Sequence, residues 1–197
     1  MNPGKTHRQP TKTPNLVVQL RIELAEVEPI VLRRLLVPGS ATLATLHRML
    51  QAAMGWSDSH LHAFRIGETV YGMLDDDDLD DEDGEEIDES SVALHQAIGV
   101  HQDFVYEYDF GDGWEHRVTV EEVRPHRNLL KFAVCLEGTG ACPPEDVGGP
   151  EGYRAFLVAL GDEGHEDHDD LVEWIGGPFD PSLFDIGAAN IALQLIR

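Results

Sequence analysis

From Leu16 onward apolar and polar positions alternate: Val18, Leu20, Ile22 and Leu24 on one parity, Gln19, Arg21 and Glu23 on the other. A period of two marks a strand with one buried face. Residues 30–37 form a second aliphatic, β-branched run that contains Arg33 and Arg34, and the short link between the runs predicts a hairpin. The period then changes. Leu43, Leu46, Leu50 and Ala53 recur at helical spacing, with Met49 and Met54 beside them. Ser40 or Thr42 supplies a hydroxyl for the first-turn amides, and Gly55 supplies the stop. Residues 62–66 and 69–71 read as short strands around Gly67.

The strongest local pattern follows. Phe104, Tyr106, Tyr108 and Phe110 share one parity, Gly111-Asp112-Gly113 turns the chain, and Trp114, His116, Val118 and Val120 share one face of the returning strand. The glycines permit the positive φ of a three-residue hairpin loop with a bulge. Residues 131–136 suggest one more strand, and residues 138–150 a loop rich in Gly and Pro. Tyr153, Phe156, Leu157 and Leu160 mark a helix, Leu171, Trp174 and Ile175 another, and a last short helix follows Asp185. The expected fold is α+β: a mixed or antiparallel sheet built from hairpins, with an early packed helix after a ββα start and a helical C-terminal third.

Charge modifies this picture in two places. Residues 75–89 carry 12 acidic side chains, a run that repels itself and reads as a solvated loop inserted within the domain, because strands resume after it. Residues 1–14 hold three prolines and little apolar content, which predicts a flexible arm before a single domain over 15–197. Over the whole chain 37 acidic residues face 14 basic ones, a net charge of −23. That balance disfavours direct DNA binding, which depends on Lys and Arg neutralising phosphates. No apolar run is long enough for a membrane span and no signal-like stretch opens the chain, so a cytoplasmic protein is expected.

Several segments together resemble one family. They are Arg33-Arg34 before Val37-Pro38, Leu46-His47, Gly55-Trp56 with His60-Leu61-His62-Ala63-Phe64, the hairpin from Tyr106 to His116, and the loop from Cys142 to Gly149 with Gly152-Tyr153. In this shared order they resemble the plasmid pRiA4b ORF-3-like family from about Leu16 to Ile196. The chain departs from the family pattern at Leu32, where a Trp is usual. The resemblance implies an α+β domain found in bacteria, archaea and mobile elements, and implies no particular activity.

The chemistry on offer is scattered. His60 and His62 sit two apart, so a strand would point both to one face, and His116 shares a face with Trp114. With Asp109 and Asp112 at the hairpin tip, these residues would make a metal or acid–base site if they converged; core packing and turn chemistry are the simpler readings. Glu145 and Asp146 lie in a rigid Pro-Pro-Glu-Asp-Val-Gly-Gly loop, suited to binding a cation, capping the next helix, or clamping Arg33 or Arg34. Cys135, Cys142, His165 and His168 are a chemically sensible zinc set, but six residues between the cysteines is wider than a zinc knuckle, and packing explains them more simply. No Walker loop, nucleophile elbow or His-Glu-x-x-His is present, so no catalytic residue and no cofactor are assigned.

The function expected is a non-catalytic module that binds a protein, peptide or other ligand, with a possible link to mobile elements. Its surface would combine Arg33, Arg34, His60, His62, Asp109, Asp112, Trp114, His116, Glu145 and Asp146, with Trp114 as apolar anchor. The alternative is a metal-dependent hydrolase or nucleic-acid-processing accessory. A third idea, the acidic run as a sink for basic partners, competes with the simpler solvated loop.

Overall fold

The computed structural model describes residues 15–74 and 86–196. The expected arm and most of the acidic insertion lie outside the described residues. The fold is α+β. Among the described residues eight strands form one mixed sheet: β1 (Leu16–Leu24), β2 (Leu32–Pro38), β3 (His62–Ile66), β4 (Thr69–Gly72), β5 (Glu86–Asp88), β6 (Asp103–Tyr108), β7 (Trp114–Pro125) and β8 (Val134–Thr139). Their spatial order is β5-β4-β3-β6-β7-β1-β2-β8. Every pairing is antiparallel except β4 with β5. The helices among the described residues are α1 (Leu43–Met54), α2 (Leu94–Ile98), α3 (Gly149–Leu160), α4 (His168–Trp174) and α5 (Ile186–Leu193).

The expected ββα start is present. Val18, Leu20, Ile22 and Leu24 are buried on one face of β1, and β1 pairs with β2 from Val17 opposite Pro38 to Glu23 opposite Leu32. Thr42 caps α1, its hydroxyl accepting the Thr45 amide at 3.2 Å, and Gly55 ends it at φ 93°. The apolar stripe of α1 joins the inner face of β1 in one core. The opposite face of the sheet is polar: Arg34 pairs with Glu121 and Glu137, and Arg65 with Glu107. None of the described helices is long and apolar enough to cross a membrane.

Four points differ from what the sequence leads one to expect. The acidic run is not loop to its end: Glu86–Asp88 form edge strand β5, and Glu89 is buried. A one-turn helix, α2, follows it without any sequence periodicity long enough to announce it. At the hairpin, β6 stops at Tyr108 opposite Trp114, so the loop runs from Asp109 to Gly113. Asp109 takes φ 56°, which breaks the alternation and leaves Phe110 half-exposed rather than beside Tyr108. The late strand also begins at Val134, three residues beyond the expected start.

Candidate functional site

Strands β3, β6 and β7 end in register, with His62 opposite Tyr108 and Tyr108 opposite Trp114. The connections leaving that end of the sheet are the 55–61 loop and the 109–113 hairpin loop. A third segment, residues 142–148 ahead of α3, closes against both. Trp56 Nε1 donates to Pro143 O at 2.9 Å. Glu145 accepts from the Ser57 amide at 3.0 Å, from the Ser57 hydroxyl, and from the Tyr108 hydroxyl at 2.6 Å. Burial pulls the Glu145 carboxyl upward, but these donors and nearby His60 outweigh it and hold the group below its ordinary pKa. Asp112 accepts the Gly148 amide at 3.1 Å.

The result brings together one residue from each segment. His60 Nδ1 lies 3.6 Å from Asp109 Oδ2, and its Nε2 lies 3.2 Å from Asp146 Oδ1. Asp109 is held by its own loop: Oδ1 accepts the amides of Gly111 at 3.0 Å and Asp112 at 3.3 Å. Among the described residues, His60, Asp109 and Asp146 form the one group of three or more His, Cys, Asp or Glu whose ligand atoms all lie within 4.8 Å of one another.

Beside this cluster opens a groove of about 640 Å³, lined by His47, Arg48, Asp58, His60, His62 and Glu89 among others. Two imidazole–carboxylate pairs build it. His47 Nε2 donates to Asp58 at 2.6 Å, and His62 Nε2 donates to Glu89 at 2.8 Å. The two rings stack with centroids 3.4 Å apart and planes 3° from parallel. His47 belongs to a closed circuit. The Asp58 amide donates to Gln51, Gln51 donates to the Tyr106 hydroxyl at 2.9 Å, and that hydroxyl donates to His47 Nδ1 at 2.8 Å. A neutral His47 suits these partners, and burial together with the neighbouring His62 lowers its pKa. The circuit also holds Asp58 at φ 60°, in the left-handed region that costs a non-glycine residue free energy.

The ten residues expected to share one surface separate into groups. His60, Asp109 and Asp146 converge. Glu145 and Asp112 tie the loops that hold them. His62 lies under the groove. Trp114 and His116 are fully buried and belong to the core, so Trp114 is not a surface anchor. Arg34 sits on the far face of the sheet. Arg33 is buried: it donates to the carbonyls of Ala53, Leu32 and Thr139 and stacks 3.7 Å over the Phe184 ring. It welds the end of α1 to β2 and β8, and the Pro-Pro-Glu-Asp loop clamps neither arginine. Nor does that loop cap α3, whose N-cap is Gly148 without a side-chain bond.

The zinc set does not assemble. His168 Nδ1 donates to Ala159 O at 3.0 Å, Cys135 Sγ donates to Glu137 O at 3.3 Å, and burial pushes the Cys142 thiol well up. Sequence reasoning missed His47, Asp58 and Glu89. One signal was available: His47 and Gln51 lie on the same helical stripe as Leu43, Leu50 and Met54, so polar groups were due to be buried there.

An open, one-sided sheet with its chemistry on loops gathered at one end defines an α+β scaffold carrying a loop-built site. The chain belongs to the plasmid pRiA4b ORF-3-like protein family, whose model matches residues 16–188. It is 45% identical over 181 residues to the uncharacterized protein y4hQ of Sinorhizobium fredii, which covers 89% of this chain and 87% of that one. The crystal structure of MM3350, a protein of unknown function from Methanosarcina mazei Go1, matches with a TM-score of 0.78 at 32% identity. That match covers 89% of this chain and 98% of the other. Neither name states an activity.

Proposed function

We propose that this chain is a binding module that receives a basic peptide segment of a partner protein in the groove beside α1. The observation that carries this reading is the stacked double pair, His47 with Asp58 and His62 with Glu89, beneath an open groove. Burying His47, His62 and Glu89 costs free energy that apolar residues in their place would not, and Asp58 adds an exposed carboxylate at the groove surface, an arrangement suited to a ligand. Asp58 and Glu89 are acceptors, and the chain carries −23 overall, which favours Lys or Arg side chains. Exposed Met73 and Leu61 on the groove wall offer contact for aliphatic stems. A link to mobile elements rests on the family name, which refers to a plasmid.

The test is a methyl-NMR titration that follows Met73 while Lys/Arg-rich and Asp/Glu-rich peptides are added. Basic peptides should shift the Met73 signal saturably, acidic ones should not, and Glu89→Gln should weaken the response. Shifts confined to the larger cavity of about 960 Å³ between α3 and α4 would refute the groove as the docking site.

A second reading, a metal-dependent hydrolase, is favoured by the His60, Asp109 and Asp146 cluster. Saturable turnover of a substrate, abolished by substitution in that cluster, would replace the binding-module reading.

A further inference from the structure

We propose that His60, Asp109 and Asp146 form a binding site for one divalent first-row transition ion of the zinc or manganese type. The site shares His60 with the wall of the peptide groove, but the proposal does not require a peptide to bind there.

Three loops distant in sequence deliver one nitrogen and two oxygen ligands to one point, with all three ligand atoms within 4.8 Å of one another. An ion about 2.0–2.2 Å from each ligand draws such atoms to roughly 3.4 Å apart in tetrahedral geometry. The contraction falls to Asp146, whose side chain is 72% exposed. Asp109 stays put: its side chain is only 12% exposed, and its Oδ1 is committed to two amides while Oδ2 faces His60.

The second observation is the imidazole itself. His60 Nε2 is shielded from solvent and makes no hydrogen bond, although Asp146 Oδ1 stands 3.2 Å away. A ring nitrogen beside two carboxylates would ordinarily donate to one of them, because an unmade buried hydrogen bond costs about 1–3 kcal/mol. A shielded ring nitrogen without a hydrogen bond, with two carboxylate oxygens within 4.8 Å, is instead what a cation needs. Ring orientation is fixed by Tyr108, which packs edge-on at 5.8 Å and 75°. Tyr108 in turn donates to Glu145, the residue preceding the ligand Asp146.

The donor set selects the ion. One imidazole with two carboxylates suits zinc and manganese, whereas calcium and magnesium favour oxygen alone. Three protein ligands leave at least one position of a four-coordinate ion open to water or to an oxygen donor from outside.

The experiment uses the full chain, stripped of metal with a chelator. Zinc binding is measured by titration calorimetry in millimolar magnesium, with elemental analysis after dialysis. The expected result is one zinc per chain that magnesium does not displace. Asp109→Asn, Asp146→Asn and His60→Gln should each weaken it tenfold or more, while Glu137→Gln, on the far face of the sheet, leaves it unchanged. Asn is chosen because it tolerates the positive φ of both aspartates and still accepts the amides of the 109–113 loop, and circular dichroism checks the fold of each variant. Absence of stoichiometric zinc overturns the proposal. So does zinc that survives His60→Gln and Asp146→Asn with unchanged affinity, which would place the ion on the cysteines or the 75–89 acids. Displacement by magnesium would remove the imidazole from the ligand set and overturn it as well. None of these outcomes depends on whether basic peptides bind the groove.

Discussion

At the scale of single residues, burial changes what a polar side chain is for. His116 is fully buried; its Nδ1 donates to Tyr106 O at 3.1 Å, and Trp56 meets its ring edge-on at 5.4 Å. Burial lowers its pKa to about 4, well under the value of an exposed imidazole. Between that pH and about 6.5 the unfolded chain therefore binds the extra proton, so stability rises with pH through this window and is lost as pH falls through it. The full linkage amounts to about 3 kcal/mol. The urea midpoint of the wild type should fall between pH 7 and 4.5, and His116→Gln should show a visibly shallower fall. Equal slopes for the two proteins would show that His116 does not stay neutral in the fold. Burial also lowers the pKa of His47, and a neutral ring there matches both partners, accepting from Tyr106 and donating to Asp58.

At the scale of elements, the site depends on how closely the hairpin tip and the 142–148 segment approach. A Cβ placed on Gly149, at φ +69°, would lie 2.3 Å from Asp112 O, a backbone atom that cannot step aside. Gly113 has a similar φ of +68° but nothing within 4 Å of such a Cβ. Gly113→Ala should therefore cost only the conformational penalty, about 1 kcal/mol. Gly149→Ala should cost about 2–4 kcal/mol, because overpacking and the displaced loop add to it. Urea denaturation of the two variants decides this, and equal losses would mean that the approach of the loops is not tight. The hairpin was legible in the alternation of Tyr106, Tyr108, Trp114 and His116. Its loop was not, because Asp109 leaves the strand through its own side-chain bonds to Gly111 and Asp112, which no periodicity records.

At the scale of the molecule, the charge of −23 acts on the whole fold. Like charges confined to a compact body repel, and salt screens them over about 8–10 Å at ordinary ionic strength. The urea midpoint should accordingly rise as sodium chloride increases from 10 to about 200 mM. A midpoint that fell would mean that ion pairs such as Arg34 with Glu121 outweigh the repulsion. The sheet's polar face makes that comparison meaningful, because those pairs are exposed and each is worth little.

Alternation and helical spacing by themselves determined the class of the fold, the β1–β2 hairpin, α1 with a hydroxyl cap at Ser40 or Thr42, and the helical end of the chain. These are local consequences of which residues avoid water, and short-range periodicity carries them. Convergence is different. His60, Asp109 and Asp146 are up to 86 positions apart, and nothing in their spacing says that the 55–61 loop, the hairpin and the 142–148 segment close on one another. Only the tertiary structure decided that, through Glu145, Trp56 and Asp112 bonding across the loops. It also sent Arg33 and Trp114 into the core, because a side chain's exposure depends on what packs over its strand rather than on its own polarity.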